Sequence, residues 1–312
     1  MNECLHIANI FPTKDLEKCS IGIWESCSSM EKDLDEIEFS KVRQCVKVNQ
    51  FPGQWILGRK DHFTRIYNDE GNQSGYNFYP ETFVLPEESE EVIRFMNSKR
   101  TVLLKPPNWF SGLGIKITDS IGIIIVLYKI LFRLYLNSDD IPMNGSKVVV
   151  QEYVERPLLI NRKKFDIRVY VLLTDVDPLQ LYIFNDGIVS FCTEDFTMDS
   201  EQLKNKFVHL SNYSINKNNE KYNSKEHRWK LSSLWKYLKK EGIDCDSLWQ
   251  RTKDVCLKSI LCGLSKIRED SKEKLKSHYS SFKLIGIDIM YDDDLKPWLL
   301  EVHILNLLLM EI

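Results

Sequence analysis

The sequence predicts an α/β fold, and three stretches carry the prediction. Lys163-Lys164-Phe165-Asp166-Ile167-Arg168-Val169-Tyr170-Val171-Leu172-Leu173 alternates with the two-residue period of a strand. Phe165, Ile167, Val169, Val171 and Leu173 share one face, and Lys164, Asp166 and Arg168 the other. Leu284–Tyr291 and Trp298–His303 are two further apolar runs, and Asp292-Asp293-Asp294-Leu295-Lys296-Pro297 between them predicts the turn of a hairpin. Residues 229–270 read as mostly helical, with Trp229, Leu231, Leu234, Trp235 and Leu238 along one apolar face.

Charges placed on such strands need an account. On an isolated strand, Lys164, Asp166 and Arg168 would fit an outer-face salt-bridge ladder. The hairpin changes that balance, because it sets Asp288 and Glu301 close to opposite each other. Two acids amid apolar strands are costly unless a cation neutralises them. A hard divalent ion, held by two carboxylates and by phosphate oxygens, meets that need.

Composition narrows the classes. The 312 residues, 43% hydrophobic and 28% charged, allow one large or two to three small domains with a substantial core. Cys4, Cys19, Cys27, Cys45, Cys192, Cys245, Cys256 and Cys262 form no CxxC pair, and no secretory signal precedes them, so free thiols in a reducing compartment are expected. The net charge of −3 conceals a split: residues 201–283 carry 19 Lys/Arg against 10 Asp/Glu, and residues 1–98 carry 10 against 17. The basic half suits an acidic partner, although solvated helix faces would give the same count. His6, His62, His209, His227, His278 and His303 lack zinc-ligand spacing, and no aromatic–basic RNA-binding motif is present, so neither zinc nor a nucleic-acid partner is expected.

In chain order, residues 1–45 are polar, acidic at Glu31–Glu38, and read as a loosely ordered extension. Phe51-Pro52-Gly53 is a turn, Tyr76–Pro86 an extended crossing, and Glu87–Asn97 a short amphipathic helix. Thr101-Val102-Leu103-Leu104-Lys105-Pro106 is a strand ending in a lysine, followed by the loop Asn108–Gly114 with Gly112 and Gly114, and by a return strand at Ile115–Ile117. A strand-end lysine beside a glycine loop suits phosphates, since backbone N–H groups can approach their oxygens; taken alone, the loop is equally a plain hairpin turn. Ile121–Leu136 has sixteen residues and includes Lys129 and Arg133, too short and too charged for a membrane span, so it reads as an inserted apolar helix with no membrane partner. Lys147–Val154 is a buried strand, and Leu179–Phe184 with Gly187–Cys192 reads as a hairpin about Asn185-Asp186-Gly187. Phe207–Ser214 and a basic loop at 216–225 complete the set.

Taken in order, LLKP, the glycine loop, VVVQEYV, KKFDIRVYV, FVHLSNYS, IGIDIM and WLLEV closely resemble the tubulin tyrosine ligase-like family over residues 50–303. Phe51-Pro52-Gly53, Gly58-Arg59-Lys60-Asp61, Asn77-Phe78, Asp177-Pro178-Leu179 and Ser214-Ile215-Asn216-Lys217 resemble its polyglutamylase branch, in particular the type-four enzymes. The resemblance implies an ATP-grasp fold with a small N-terminal lobe: lobe 46–98, central subdomain 99–155 with the apolar insert 121–136, and C-terminal subdomain 156–312. It also implies a ligase using ATP and magnesium. A glutamate side chain in an acidic tubulin tail becomes an acyl phosphate, free L-glutamate attacks, and an amide forms. Implied partners are tubulin and microtubules, for a monomer in the cytoplasm and cytoskeleton, extending to cilium or basal body.

By position, the resemblance gives Lys105 to the nucleotide phosphates and Gly112 and Gly114 to the loop above them. Gln151 and the Tyr153–Val154 backbone match an adenine hinge, and Lys164 and Asp166 match nucleotide contacts. Arg168 matches the arginine that stabilises charge at the transferred phosphoryl. Ser211 and Asn212 stand near the ribose and phosphates, and Asp288 and Glu301 match the magnesium ligands. Such residues suit phosphoryl transfer, which depends on positioning and charge neutralisation.

Four features depart from the family pattern. His303 replaces an asparagine that meets the metal, and imidazole is a poorer magnesium ligand than an amide oxygen. Ser190 replaces an arginine facing the phosphates, a loss worth on the order of 10²–10³ in turnover by analogy with a lost oxyanion donor. Ser111 replaces a second arginine. The chain also stops at Ile312, which reads as a C-terminal truncation, and the apolar segments 121–136 and 304–312 suggest alternative splicing or translated non-coding sequence. The alternatives are therefore a catalytically silent tubulin-binding pseudoenzyme or truncated gene product, and a glycylase or tyrosine ligase.

Overall fold

In this computed structural model, which describes residues 22–23, 47–71, 73–107, 112–136, 147–277 and 280–304, two antiparallel sheets organise the chain. The smaller has four strands, β1 (Thr82–Leu85), β2 (Val102–Lys105), β3 (Lys116–Thr118) and β4 (Val148–Glu152), in the order β1-β4-β2-β3. The larger contains β5 (Lys163–Val176), β6 (Leu179–Phe191), β7 (Arg228–Lys230), β8 (Lys283–Tyr291) and β9 (Pro297–Ile304), in the order β7-β6-β5-β8-β9. A two-residue strand, Leu159–Ile160, pairs with the start of β5. The expected mix of helix and sheet is therefore present, with antiparallel ladders in both sheets.

The alternation in β5 does what the sequence implies. Phe165, Ile167, Val169, Val171 and Leu173 are each no more than 1% exposed. Burying five such side chains contributes on the order of 10 kcal/mol before conformational entropy is set against it. Their cover comes from α5 (Leu231–Lys240) and α6 (Cys245–Lys274), whose Leu231, Leu234, Leu238, Val255, Ile260 and Ile267 join the same core. Trp235 on α5 and Trp229, which lies in strand β7 rather than on the expected helix face, pack against it from partly buried positions. The Asp244 carboxylate caps α6 by accepting from the Ser247 N–H at 3.1 Å. Cys192, Cys245, Cys256 and Cys262 are free thiols.

On the small sheet, α3 (Ser89–Met96) and α4 (Ile121–Leu136) cover one face, following α1 (Trp55–Gly58) and α2 (Lys60–Ile66) in the chain. The apolar insert is α4, and its Ile124 enters the cluster of Phe83, Val92, Val102 and Val150. Among the described residues, no helix is long and apolar enough to cross a membrane.

One expected turn is absent. Asn185-Asp186-Gly187 lies inside the continuous strand β6, and the hairpin closes instead at Asp177-Pro178 between β5 and β6. Asp186 carries tertiary bonds: its carboxylate accepts from the Ser232 N–H at 2.9 Å and the Ser232 hydroxyl at 3.1 Å, at the start of α5. Gly187 presses so closely on the Arg168 carbonyl that a Cβ would collide with it, and the β5–β6 register shifts there. The glycine serves a bulge rather than a two-residue turn. The expectation for residues 1–45 lies outside the described residues, except that Gly22–Ile23 pairs in parallel with Lys47–Val48. Ser111 and the segment 305–312 also lie outside them.

Candidate active site

The open face of the large sheet collects the charges. Strand register places Lys230, Ile188, Arg168, Asp288 and Glu301 side by side across β7, β6, β5, β8 and β9. Residues directly opposite in a ladder share a face, so this row is fixed by backbone pairing. The hairpin expected from Asp292–Pro297 forms, closed by the Asp292 carboxylate, which accepts from the Asp294 and Lys296 N–H groups and from Trp298 Nε1. Asp288 and Glu301 are consequently opposed.

Their neutralisation differs from the simplest expectation. Arg168 donates to Asp288 through Nε and Nη2, both at 2.7 Å. His303 Nε2 stands 3.0 Å from Asp288 Oδ2 and 2.7 Å from Glu301 Oε1. Lys60 from α2 reaches Glu301 Oε2 at 3.0 Å. Side chains of the protein thus balance both acids, and electroneutrality alone does not demand an ion. Burial would raise the Asp288 carboxyl, but Arg168 and His303 hold it below the ordinary carboxylate value. Glu301 is held well below by His303 and Lys60 against the same opposing burial. His303 moves up to about 9, because the two carboxylates outweigh its burial.

Donor chemistry tests whether this trio suits magnesium. Asp288, Glu301 and His303 each present a ligand atom, all within 4.8 Å of one another. The two carboxylates fit a hard cation, whereas the imidazole is a donor that magnesium accepts reluctantly.

Two buried lysines lie in this region, Lys105 beside Glu301 and Asp288, and Lys164 beside Asp166. Lys105, at the end of β2, donates to Gln151 Oε1 at 2.6 Å and to the Leu300 carbonyl at 3.3 Å, which ties the small sheet to β9. Gln151 Nε2 in turn donates to Thr82 Oγ1 at 2.9 Å, so this buried side chain serves to hold the lysine. Lys164 donates to the Tyr153 hydroxyl at 3.0 Å. Burial lowers both ammonium groups to about 8, with nearby acids opposing the fall. Asp166 rises to about 7, first through burial and then through the Asp288 charge, although its Oδ2 accepts the Ser211 hydroxyl.

The glycine loop meets this group from the other side. Gly112 and Gly114 have φ of +73° and +68°, which favours glycine. A Cβ on Gly112 would stand 2.5 Å from Asn212 Oδ1, so these two residues, a hundred positions apart in the chain, are in contact. The Tyr153 N–H donates to the Thr101 carbonyl at 2.9 Å, and Val154 follows it half-buried.

Three residues with no role assigned from the sequence belong here. Lys60 pairs with Glu301. Arg228 lies directly opposite Ser190, which lies opposite Asp166, and its guanidinium rests 5.1 Å from the Tyr213 ring centre. A cation therefore adjoins the position where Ser190 brings none. His209 is buried against Tyr153. Lys60 and His209 lie within runs quoted above, Gly58-Arg59-Lys60-Asp61 and FVHLSNYS, without a role there; Arg228 is joined to the site by strand pairing and His209 by its hydrogen bond to Tyr153.

Comparison with known proteins places the chain in a family. The model of the tubulin-tyrosine ligase family matches residues 39–305. Tubulin monoglutamylase TTLL4 of Mus musculus is 36% identical over 278 residues, covering 85% of this chain and 22% of that protein. Tubulin polyglutamylase ttll-4 of Caenorhabditis elegans is 31% identical over 304 residues, 95% of this chain and 47% of its own length. Tubulin polyglutamylase TTLL5 of Mus musculus is 32% identical over 276 residues, 84% and 19% respectively. This chain thus spans between about a fifth and a half of such relatives. Buried lysines, opposed acids, a glycine loop and a family match covering most of the sequence together lead to one conclusion: the chain belongs to the tubulin-tyrosine ligase family.

Proposed function

We propose that the chain carries the catalytic segment of an ATP-grasp ligase that uses ATP and magnesium to join free L-glutamate to glutamate side chains of acidic tubulin tails. The observation that carries this reading is the electrostatic make-up of one face. Lys105, a buried ammonium, stands beside the opposed carboxylate pair, and a second, Lys164, stands beside Asp166, each hydrogen-bonded to a neutral oxygen. Such an arrangement suits a polyphosphate together with a divalent ion. The relatives' names, tubulin monoglutamylase and polyglutamylase, supply the substrate class, and the basic stretch 201–283 suits an acidic tail.

Each residue has a part in that chemistry. Lys105 and Lys164 neutralise phosphate oxygens, and Gln151 keeps Lys105 aimed. The Gly112–Gly114 backbone closes over the phosphates, while Asp166, Ser211 and Asn212 bound the nucleotide's sugar side. Arg168, held by Asp288, faces charge that develops on the transferring phosphoryl. Asp288 and Glu301, with His303 beside them, would hold magnesium, which when bound supplies charge neutralisation. The acceptor carboxylate oxygen forms a bond to the γ-phosphorus as the bond to ADP breaks. The glutamate amine then forms the amide as phosphate leaves and its proton passes to solvent. The cytoplasmic and ciliary cytoskeleton is the setting that fits.

Two observations favour a second reading. His303 bridges both carboxylates, and Ser190 brings no charge, which suits a silent tubulin-binding protein. Purified chain, ATP, magnesium and tubulin decide between them. Labelled glutamate incorporated into tubulin supports the ligase, and tail binding without nucleotide binding or incorporation supports the silent protein. Competing glycine and tyrosine in the same assay tests the other donors.

A further inference from the structure

A chain of buried hydrogen bonds ends at Lys164 and involves a histidine with no part in the chemistry above. His209 Nε2 lies 3.2 Å from the Gln202 carbonyl, an acceptor only, so Nε2 carries the proton and donates. His209 Nδ1 therefore accepts, and it lies 2.9 Å from the Tyr153 hydroxyl. The phenolic hydrogen is committed to His209, which turns the oxygen's lone pairs to Lys164 Nζ at 3.0 Å. Tyr153 is 2% exposed, His209 1% and Lys164 6%, so water does not compete for these bonds. The phenol ring also lies under the ammonium, 4.3 Å from Nζ to its centre.

We infer that Tyr153 and His209 are positioning residues that fix the Lys164 ammonium for the nucleotide; the inference rests on the ATP-dependent reading above. Other neighbours are poor anchors. The Cys192 thiol is fully buried and pushed up to about 12, chiefly by burial, which leaves it neutral. Asp166 is engaged by Ser211. Burial and the Lys164 charge push His209 down to about 4, which keeps its ring neutral and Nδ1 an acceptor. A neutral anchor has a functional merit: a carboxylate would repel the phosphates that the lysine is there to meet.

The test is a double-mutant cycle on ATP affinity, read by displacement of a fluorescent ATP analogue, with thermal melting as a fold check. Tyr153→Phe keeps the ring and deletes the oxygen. It should weaken ATP binding about tenfold, the scale of a hydrogen bond to a charged group. In a Lys164→Met background the same change should have little further effect. His209→Leu should match Tyr153→Phe, whereas His209→Asn, which retains an acceptor near the Nδ1 position, should stay within about twofold of wild type. Should Tyr153→Phe fail to fold, the two His209 variants carry the comparison. Wild-type affinity in Tyr153→Phe or His209→Leu, or effects that add fully to Lys164→Met, would overturn the inference while leaving the ligase reading intact. A wild-type chain that binds no ATP overturns both.

Discussion

Nucleotide binding should take up protons, and the amount follows from Lys105 and Lys164. Burial brings each ammonium down to about 8. At pH 8 each lysine is half protonated, so the two together lack about one proton. A polyphosphate set beside them favours the charged form and restores that proton. The two lysines should therefore take up about one proton on binding at pH 8, and at pH 7, where each is about 90% protonated, only about 0.2. Calorimetric titration with ATP, in two buffers of different ionisation enthalpy, reads the number directly from the dependence of the observed heat. Lys105→Met and Lys164→Met should each remove about half of the uptake. The sign extends to stability. Both folded values lie below the ordinary lysine value of 10.5, so the unfolded chain holds more protons between pH 8 and 10.5. The free protein loses stability to these groups in full below pH 8 and progressively less above it. A wild-type chain that binds ATP at pH 8 with no proton uptake, or variants that keep the full uptake, would refute the electrostatic account of the site.

The remaining expectations concern the same face. Asp288→Ala or Glu301→Ala should abolish metal-dependent turnover, measured by titrating divalent cation in the glutamate-incorporation assay; undiminished incorporation rules out the metal assignment. Gly112→Ala forces an alanine to φ +73° with its Cβ 2.5 Å from Asn212 Oδ1. It should cost at least about 1 kcal/mol, seen as weaker ATP binding. Ser190→Arg combined with His303→Asn should raise turnover by on the order of 10²-fold, by analogy with restoring an oxyanion donor; a rate equal to wild type would mean that Arg228 already supplies the charge. Arg228→Ala should then lower incorporation at saturating ATP, and an unchanged rate would remove Arg228 from the site.

Much of this site was readable in one dimension, for a definite reason. In β5 the buried Phe165–Leu173 series and the charged Lys164–Arg168 series alternate strictly, and a period of two leaves no second assignment. The β8–β9 hairpin was readable because six turn residues separate two apolar runs, which brings Asp288 to Glu301. What failed was governed by distant partners. Asn185-Asp186-Gly187 has the local chemistry of a tight turn, but Asp186 is claimed by Ser232 and Gly187 by the Arg168 carbonyl. Lys60, Arg228 and His209 meet their partners in the site through an ion pair, strand pairing and a side-chain hydrogen bond between residues far apart in the chain, so no spacing announces those meetings. The sequence shows that two carboxylates meet, but not that Arg168, His303 and Lys60 meet them.

The row of Arg168, Asp288 and Glu301 draws one functional residue from each of three adjacent strands. Slippage of any strand by a single residue would turn its contribution inward and lift an apolar neighbour out of the core. Assembly of the chemistry and completion of the sheet are therefore one event. A molecule caught with a misaligned strand is unable to keep partial competence, and activity per molecule should report the fraction correctly folded.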